Sequence, residues 1–577
     1  MRRLLAIALL LLLLLLQTGC SRIDLSPKGW GEGELEKYVR TERIAESVSR
    51  STTAMVTGTS SSIAIRAGVE ALEQGGSAAD AALTTALTHI TLAGGCTVSF
   101  AGVLTLVYYD ASSGEVFALD GGYATVRGET DPLTIPRSSR SDPTQGSKAI
   151  PKGRTVLVPG FMAGVEAAHS RFGRLPFSEI FQPAIYFARE GFPISPRLSE
   201  FAESHQRVLS RLPETRAVFA REDGSLYAPG ETFKQPALAA TLEKVAAEGA
   251  DYFYRGAWAK KFVEAVRRDG GKLTLEDLEN YRPTWHEPFH IVYRDHDVYL
   301  PPGGANVAGM LNLLELADLE GRGHYTESAE SFFWFCRIVE AVNFGAGLEG
   351  IEYRREDWVD REFAQRAWDH LQDSGARVAT TQPAGEALPG HSDAVVVVDG
   401  DGNIAALLHS SNAIGFGETG LYIDGVSIPD SATFQQVALS YIEPGDRLFN
   451  PTTPLVALHN GRPVLGLSAI GSGIYEETIK CLFNVLGYGT PVQEAIDAPS
   501  VVPFFGQEVD SPSIAIAVAD SAFAATLLHE AKRMGLDVEV LPEREARRTK
   551  GAVAAISVDP ATGIREGGTV RRFSLGY

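Results

Sequence analysis

Four consecutive valines, Val395-Val396-Val397-Val398, run into Asp399-Gly400-Asp401-Gly402-Asn403, and residues 404–408 then read as a return strand. β-branched residues on both sides of an Asp/Gly/Asn turn make a β-hairpin whose first strand is buried. At its head stands a small hydroxyl residue, Ser392, after Gly390-His391. If the chain were cut before Ser392, the freed α-amine would sit beside the hydroxyl and serve as its base. From these residues alone the commoner reading is a surface serine that starts a buried strand, because Ser often flanks strands.

With 577 residues and 44% hydrophobic content the chain can bury a large core, and its length is that of two to four domains. Its formal net charge of −20 argues against nucleic acid as a partner, since no basic surface is available to neutralise phosphates. Met1-Arg2-Arg3 and the apolar run 4–16 form a charged and then a hydrophobic leader too short for a comfortable membrane span. The leader ends in Gln17-Thr18-Gly19-Cys20-Ser21, which resembles a bacterial lipoprotein cleavage site with Gln17 where Leu is usual. We expect residues 1–19 to be removed and Cys20 to be lipidated, with 20–50 as anchor and linker and the remainder outside the cytoplasm, periplasmic or on the cell surface of a bacterium. The other cysteines, Cys96, Cys336 and Cys481, are far apart and suggest no disulfide framework. Cys336 lies beside Phe332-Phe333-Trp334-Phe335 and reads as core. No HExxH and no Cys/His cluster appears, so no metal and no cofactor is expected.

Helical patterns occupy 60–76, 77–92, 161–172, 177–190, 237–248, 257–268, 306–319 and 328–344, while 103–119 reads as a hairpin and 290–299 as one alternating strand. After Ser392 strands dominate (404–409, 455–458, 463–468, 553–558), with Asn460-Gly461 as a hairpin turn and helices near 474–486 and 521–534. The helix-rich part thus comes first and the strand-rich part second. The stretch 370–390 before Ser392 is polar, with Pro383 and Pro389, as an exposed site of cleavage would be.

An ordered series of blocks resembles the gamma-glutamyltranspeptidase family. Gly68-Val69-Glu70-Ala71 to Ala81-Ala82, Tyr108-Tyr109-Asp110 to Leu119-Asp120-Gly121, Val158-Pro159-Gly160, Gly173-Arg174-Leu175-Pro176, Tyr252-Phe253-Tyr254-Arg255-Gly256 and Gln493-Glu494-Ala495-Ile496-Asp497-Ala498-Pro499 carry it, across 54–572. The resemblance implies an α+β fold, a four-layer αββα sandwich of N-terminal nucleophile hydrolase type. It also implies self-cleavage between His391 and Ser392 into a large region, 51–391, and a small one, 392–577, which stay associated. The family's nucleophile, typically the first Thr of a Thr-Thr-His run, falls on Ser392, and Asp393 and Ala394 follow. Gly471 and Ser472 fall on the oxyanion loop, Ser410 on a hydroxyl near the nucleophile, and Asn412 on a donor-binding position. The expected reactants are a small-molecule amide or gamma-glutamyl-like donor and an amino acceptor or water.

The pocket departs from the family pattern. The Arg that would pair a donor α-carboxylate is replaced by Gly122, and the Ser-Ser pair that closes the pocket appears as Asn450-Pro451. In the segment that grips the donor amine, 427–432, only Asp430 retains a charge, and Arg447 or Arg66 would have to replace the missing Arg from another direction. Three readings follow: an active self-processing amidohydrolase or acyltransferase with a changed donor pocket, a true gamma-glutamyltransferase or glutathione hydrolase with a rearranged one, and an inactive lipid-anchored binding protein of the same fold.

Overall fold

A computed structural model describes residues 23–31, 33, 49–59, 61–137, 152–221, 223–373, 392–505, 514–570 and 574–577. Cys20 and His391 lie outside them, as does 374–390 of the expected loop before Ser392, while its first residues, 370–373, instead end a helix (Arg361–Asp373). Fourteen strands build two seven-stranded sheets. In chain order they are β1 (Ser49–Ser51), β2 (Met55–Gly58), β3 (Val103–Asp110), β4 (Glu115–Gly121), β5 (Thr284–His286), β6 (Phe289–Tyr293), β7 (His296–Leu300), β8 (Ser392–Val398), β9 (Ile404–Ser410), β10 (Leu455–His459), β11 (Arg462–Ile470), β12 (Ala552–Val558), β13 (Arg565–Thr569) and β14 (Ser574–Gly576). One sheet has the order β1-β13-β12-β11-β10-β7-β6, the other β14-β2-β8-β9-β3-β4-β5. Within each sheet every pairing of neighbours is antiparallel.

The sheets pack face to face, with β8 and β9 against β11 and β12. Gly466 on β11 permits this: a Cβ there would come 2.7 Å from Ile404 Cγ2 and 2.9 Å from Val396 Cγ1. Helices cover both outer faces. Helices α1 (Ser62–Glu73), α2 (Ala78–Leu92) and α3 (Phe161–Phe172) lie over the sheet containing β8. A smaller helix, α4 (Pro196–Ser204), lies beyond them, and α5 (Ala305–Ala317), α6 (Ala329–Phe344) and α7 (Ile474–Leu482) cover the other sheet. The result is the α+β, helix–sheet–sheet–helix layering expected for the chain. Among the described residues no helix is long and apolar enough to cross a membrane.

The hairpin at Ser392 forms with Ser392 opposite Ser410 and Val398 opposite Ile404. Its two faces serve two cores. Ala394, Val396 and Val398 point between the sheets, while Val395 and Val397 point into the core beneath α2. Helix α2 can lie this deep because it is built from small residues and capped by its own sequence. Ser77 accepts from the Asp80 N–H, and the Asp80 carboxylate accepts from the Ser77 N–H. The threonine hydroxyls of Thr85 and Thr88 are satisfied by carbonyls one turn back.

The expectation of a single strand at 290–299 needs correction: it is a hairpin, β6 and β7, because Arg294 takes a left-handed φ of 56° and reverses the chain, and the buried positions change phase from Ile291 and Tyr293 to Val298 and Leu300. Each sheet draws strands from both sides of Ser392.

Candidate active site

Ser392 is the first residue of β8 and is half-buried. Because Ala394 and Val396 on the same face enter the space between the sheets, Ser392 stands at the mouth of that space. Its hydroxyl donates to Ser410 Oγ at 2.8 Å, and Ser410 Oγ also accepts the Asn412 N–H at 3.0 Å. Asn412 makes that reach through a left-handed φ of 49°, which Asn tolerates better than most residues. The structure thus brings Ser392, Ser410 and the backbone of Asn412 together.

Gly471 and Ser472 follow β11, whose last residue, Ile470, lines the same cavity as Ser392. Gly471 has φ +95°, and a Cβ there would meet Gly551 Cα at 3.2 Å. Only glycine takes this turn freely, and helix α7 opens just after Gly473. Backbone N–H groups at such a turn into a helix N-terminus favour developing negative charge.

The next residue, Asp393, points the opposite way and is almost completely buried beneath α2. Its Oδ2 lies 3.0 Å from His89 Nδ1 and 3.1 Å from His409 Nε2, and its Oδ1 accepts the Thr59 hydroxyl at 2.7 Å. Burial alone would raise the Asp393 carboxyl, but the two imidazoles hold it well below the usual carboxylate range. Burial in turn pushes the His409 imidazole down. Thr59 Oγ1 also accepts the Ala394 N–H, so the network ties the start of β8 to β2 and α2. Sequence reading missed this cluster, although the hairpin register offered a signal: if Ser392 faces Ser410, Asp393 must face His409. His89, Asp393 and His409 place one possible metal-ligating atom each within 4.8 Å of one another, as do Asp295, His296 and His459 elsewhere.

Of the other positions expected to bind or close on a donor, Gly122, Asp430 and Asn450 do not line this cavity. Asp430 is buried, with the Thr433 hydroxyl on one oxygen, and burial followed by repulsion from Glu418 pushes its carboxyl up to about 6. Asn450 Nδ2 donates to Thr105 Oγ1. Arg447 donates to the Gly122 carbonyl, the Tyr281 hydroxyl and the Arg282 carbonyl, and its guanidinium lies 4.5 Å from the centre of the Tyr281 ring. A cation therefore stands at Gly122. Arg66 does not: it pairs with Glu70 and Glu73 on α1. Cys96, Cys336 and Cys481 are buried free thiols, and Cys336 is core as its aromatic neighbours predict.

The family model described as gamma-glutamyltranspeptidase matches residues 64–573. A glutathione hydrolase-like YwrD proenzyme of Bacillus subtilis is 26% identical over 532 residues, covering 88% of this chain and 94% of its own. An acylase ACY 1 proenzyme of a Pseudomonas species is 28% identical over 62% of this chain and 66% of its own length. Among solved structures, cephalosporin acylase from Bacillus halodurans superposes with a TM-score of 0.72 at 23% identity, covering 92% of this chain and 97% of that one, which shows a shared fold. The chain belongs to the gamma-glutamyltranspeptidase family.

Proposed function

We propose that this protein is a self-processing amidohydrolase or acyltransferase in which Ser392 is the N-terminal nucleophile. The observation that carries the reading is the Ser392–Ser410 hydroxyl contact of 2.8 Å at the head of β8, on the wall of an open cavity. In the precursor, Ser392 Oγ attacks the His391 carbonyl carbon. The C–N bond breaks, the amine takes the proton, and the two residues are left joined by an ester. Water hydrolyses the ester, leaving a carboxylate on His391 and a free α-amine on Ser392. That amine, with an ordinary pKa near ~8, takes the hydroxyl proton when Ser392 attacks a donor amide and gives it to the leaving amine. Gly471 and Ser472 N–H groups hold the oxyanion, Ser410 orients the nucleophile, and Asn412 meets the donor. Water or an acceptor amine then resolves the acyl-enzyme.

The relatives' names divide between glutathione hydrolases and acylases. The wall of the cavity favours the acylase side, since Gly122, Asp430 and Asn450 do not line it. A gamma-glutamyl donor is the second reading, and Arg447 at the Gly122 carbonyl, with Asp430 to take the donor amine, is the observation in its favour. We further propose export and tethering through Cys20, on the strength of the leader and its cysteine.

The test is to purify the full chain, separate it under denaturing conditions and sequence the smaller fragment. It should begin at Ser392, and Ser392→Ala should remain whole. An intact wild-type chain would leave the inactive binding protein as the surviving reading. Release rates from gamma-glutamyl anilide against other acyl anilides then separate the two active readings.

A further inference from the structure

The cavity beside Ser392 has a volume of about 720 Å³, within the range of sites that enclose a small molecule. Its floor is Ser392 with Ile470, Ala552 and Val570. Its helical wall presents the apolar side chains of Ile63 at the start of α1, Leu92 at the end of α2, Cys96, Phe192, and Leu198 and Phe201 on α4, with Ser and Thr residues between them. Cys96 belongs to this apolar surface, because burial pushes its thiol up to about 12 and keeps it protonated. The buried charge on the wall, Asp393, is already held by His89, His409 and Thr59. Arg197 is exposed. It lines the cavity and is the one cation a carboxylate could meet there, while no free anion among the described residues of the wall remains for an ammonium group. A gamma-glutamyl head group would leave its ammonium without a partner there, at the cost of its desolvation. An uncharged hydrocarbon chain carries no such cost and would bury apolar surface.

We infer that this cavity takes the acyl half of the donor, and that the donor is the amide of a medium-length apolar carboxylic acid. The inference rests on the reading of Ser392 as the nucleophile. The carbonyl would sit at Ser392, and the chain would extend away from the sheets toward α4. The acyl group is transferred to Ser392 Oγ, the amide C–N bond breaks, and the amine leaves with the hydroxyl proton. Water then adds to the ester to release the carboxylic acid.

The full-length wild-type protein is incubated with p-nitroanilides of acetic, butanoic, hexanoic and octanoic acids and of gamma-glutamate. Release of nitroaniline is followed, and the Ser392 fragment is weighed after rapid quenching. We expect kcat/KM to rise about fourfold per methylene through the series, with an acyl adduct on the Ser392 fragment. Leu198→Trp and, independently, Ile63→Phe should each lower the octanoyl-to-acetyl ratio at least tenfold by shortening the cavity. A flat or falling series, a preference for gamma-glutamate, or an unchanged ratio in both wall variants overturns the inference while adducts on Ser392 still uphold the nucleophile. No adduct with any donor overturns both.

Discussion

Replacing Asp393 by Ala tests the network behind Ser392 most directly. The side chain is about 1% exposed and holds three partners, the half-buried His89 at 3.0 Å and the buried His409 and Thr59 at 3.1 Å and 2.7 Å. Removing the carboxylate leaves these groups without their hydrogen-bond acceptor, at a cost of about 1–3 kcal/mol for each that is buried. Asp393→Asn keeps an acceptor and the side-chain volume, and should cost about 1–2 kcal/mol. Stability is best measured as a urea midpoint in the uncleavable Ser392→Ala background, so that a broken chain does not complicate refolding. The pH dependence carries a sign. Asp393 and His409 both have lowered folded pKa values, so each contributes stability above its unfolded value and loses it as pH falls. The window begins near pH ~6.5 for His409 and near ~3.9 for Asp393. Asp393 raises the His409 pKa, so its loss should make the decline below pH ~6.5 steeper. With Ser392 intact, the same substitution should slow self-cleavage by about 10–100-fold through misplacement of the attacking hydroxyl. A midpoint shift worth less than about 0.5 kcal/mol, with cleavage at the wild-type rate, would refute the claim that this network fixes the head of β8.

Three further outcomes are expected. Ser410→Ala removes the hydroxyl that meets Ser392 Oγ and should slow cleavage and turnover by about 3–10-fold, measured by gel time course and anilide release. Gly471→Ala forces a side chain into φ +95° against Gly551, should cost about 1–3 kcal/mol in denaturant, and should lower kcat by up to about 10²–10³ as the turn relaxes and carries the Gly471 N–H away from the oxyanion. Glu476, on α7, is pushed up to about 7, mainly by burial, so its favourable contribution is full below its unfolded pKa and is lost as pH rises toward 7. Glu476→Gln should therefore raise the urea midpoint at pH 8 and flatten its slope between pH ~4.5 and 7.

Where local chemistry decides, the sequence was legible. The valine run and its Asp/Gly turn marked the β8–β9 hairpin, and Ser77 with Asp80 marked the start of α2. Asn460-Gly461 takes left-handed φ values of 51° and 73°, as its hairpin turn requires. What stayed hidden depends on contacts distant in sequence. Nothing near His89 says that it meets Asp393, more than three hundred residues on, and a lone His in a small-residue helix carries no pattern of its own. Arg447 could be named but not placed, because its partners Gly122 and Tyr281 come from other elements. Asp430 reads as an available acid until tertiary packing buries it. The β6–β7 turn was missed because Arg294 is an unusual residue for a left-handed conformation.

The interleaving of strands from either side of Ser392 has a consequence for the life history of the molecule. Strand β2 is hydrogen-bonded to β14 on one side and to β8 on the other, so it lies between two strands from beyond the cut. A whole chain assembles this arrangement as a single connected thread. Once severed before Ser392, the same arrangement would require two molecules to find one another and thread both sheets together, a process whose success depends on concentration. Maturation would thus work as a ratchet: the severed form persists because it unfolds slowly, and after boiling or urea it should return only in the uncleavable variant.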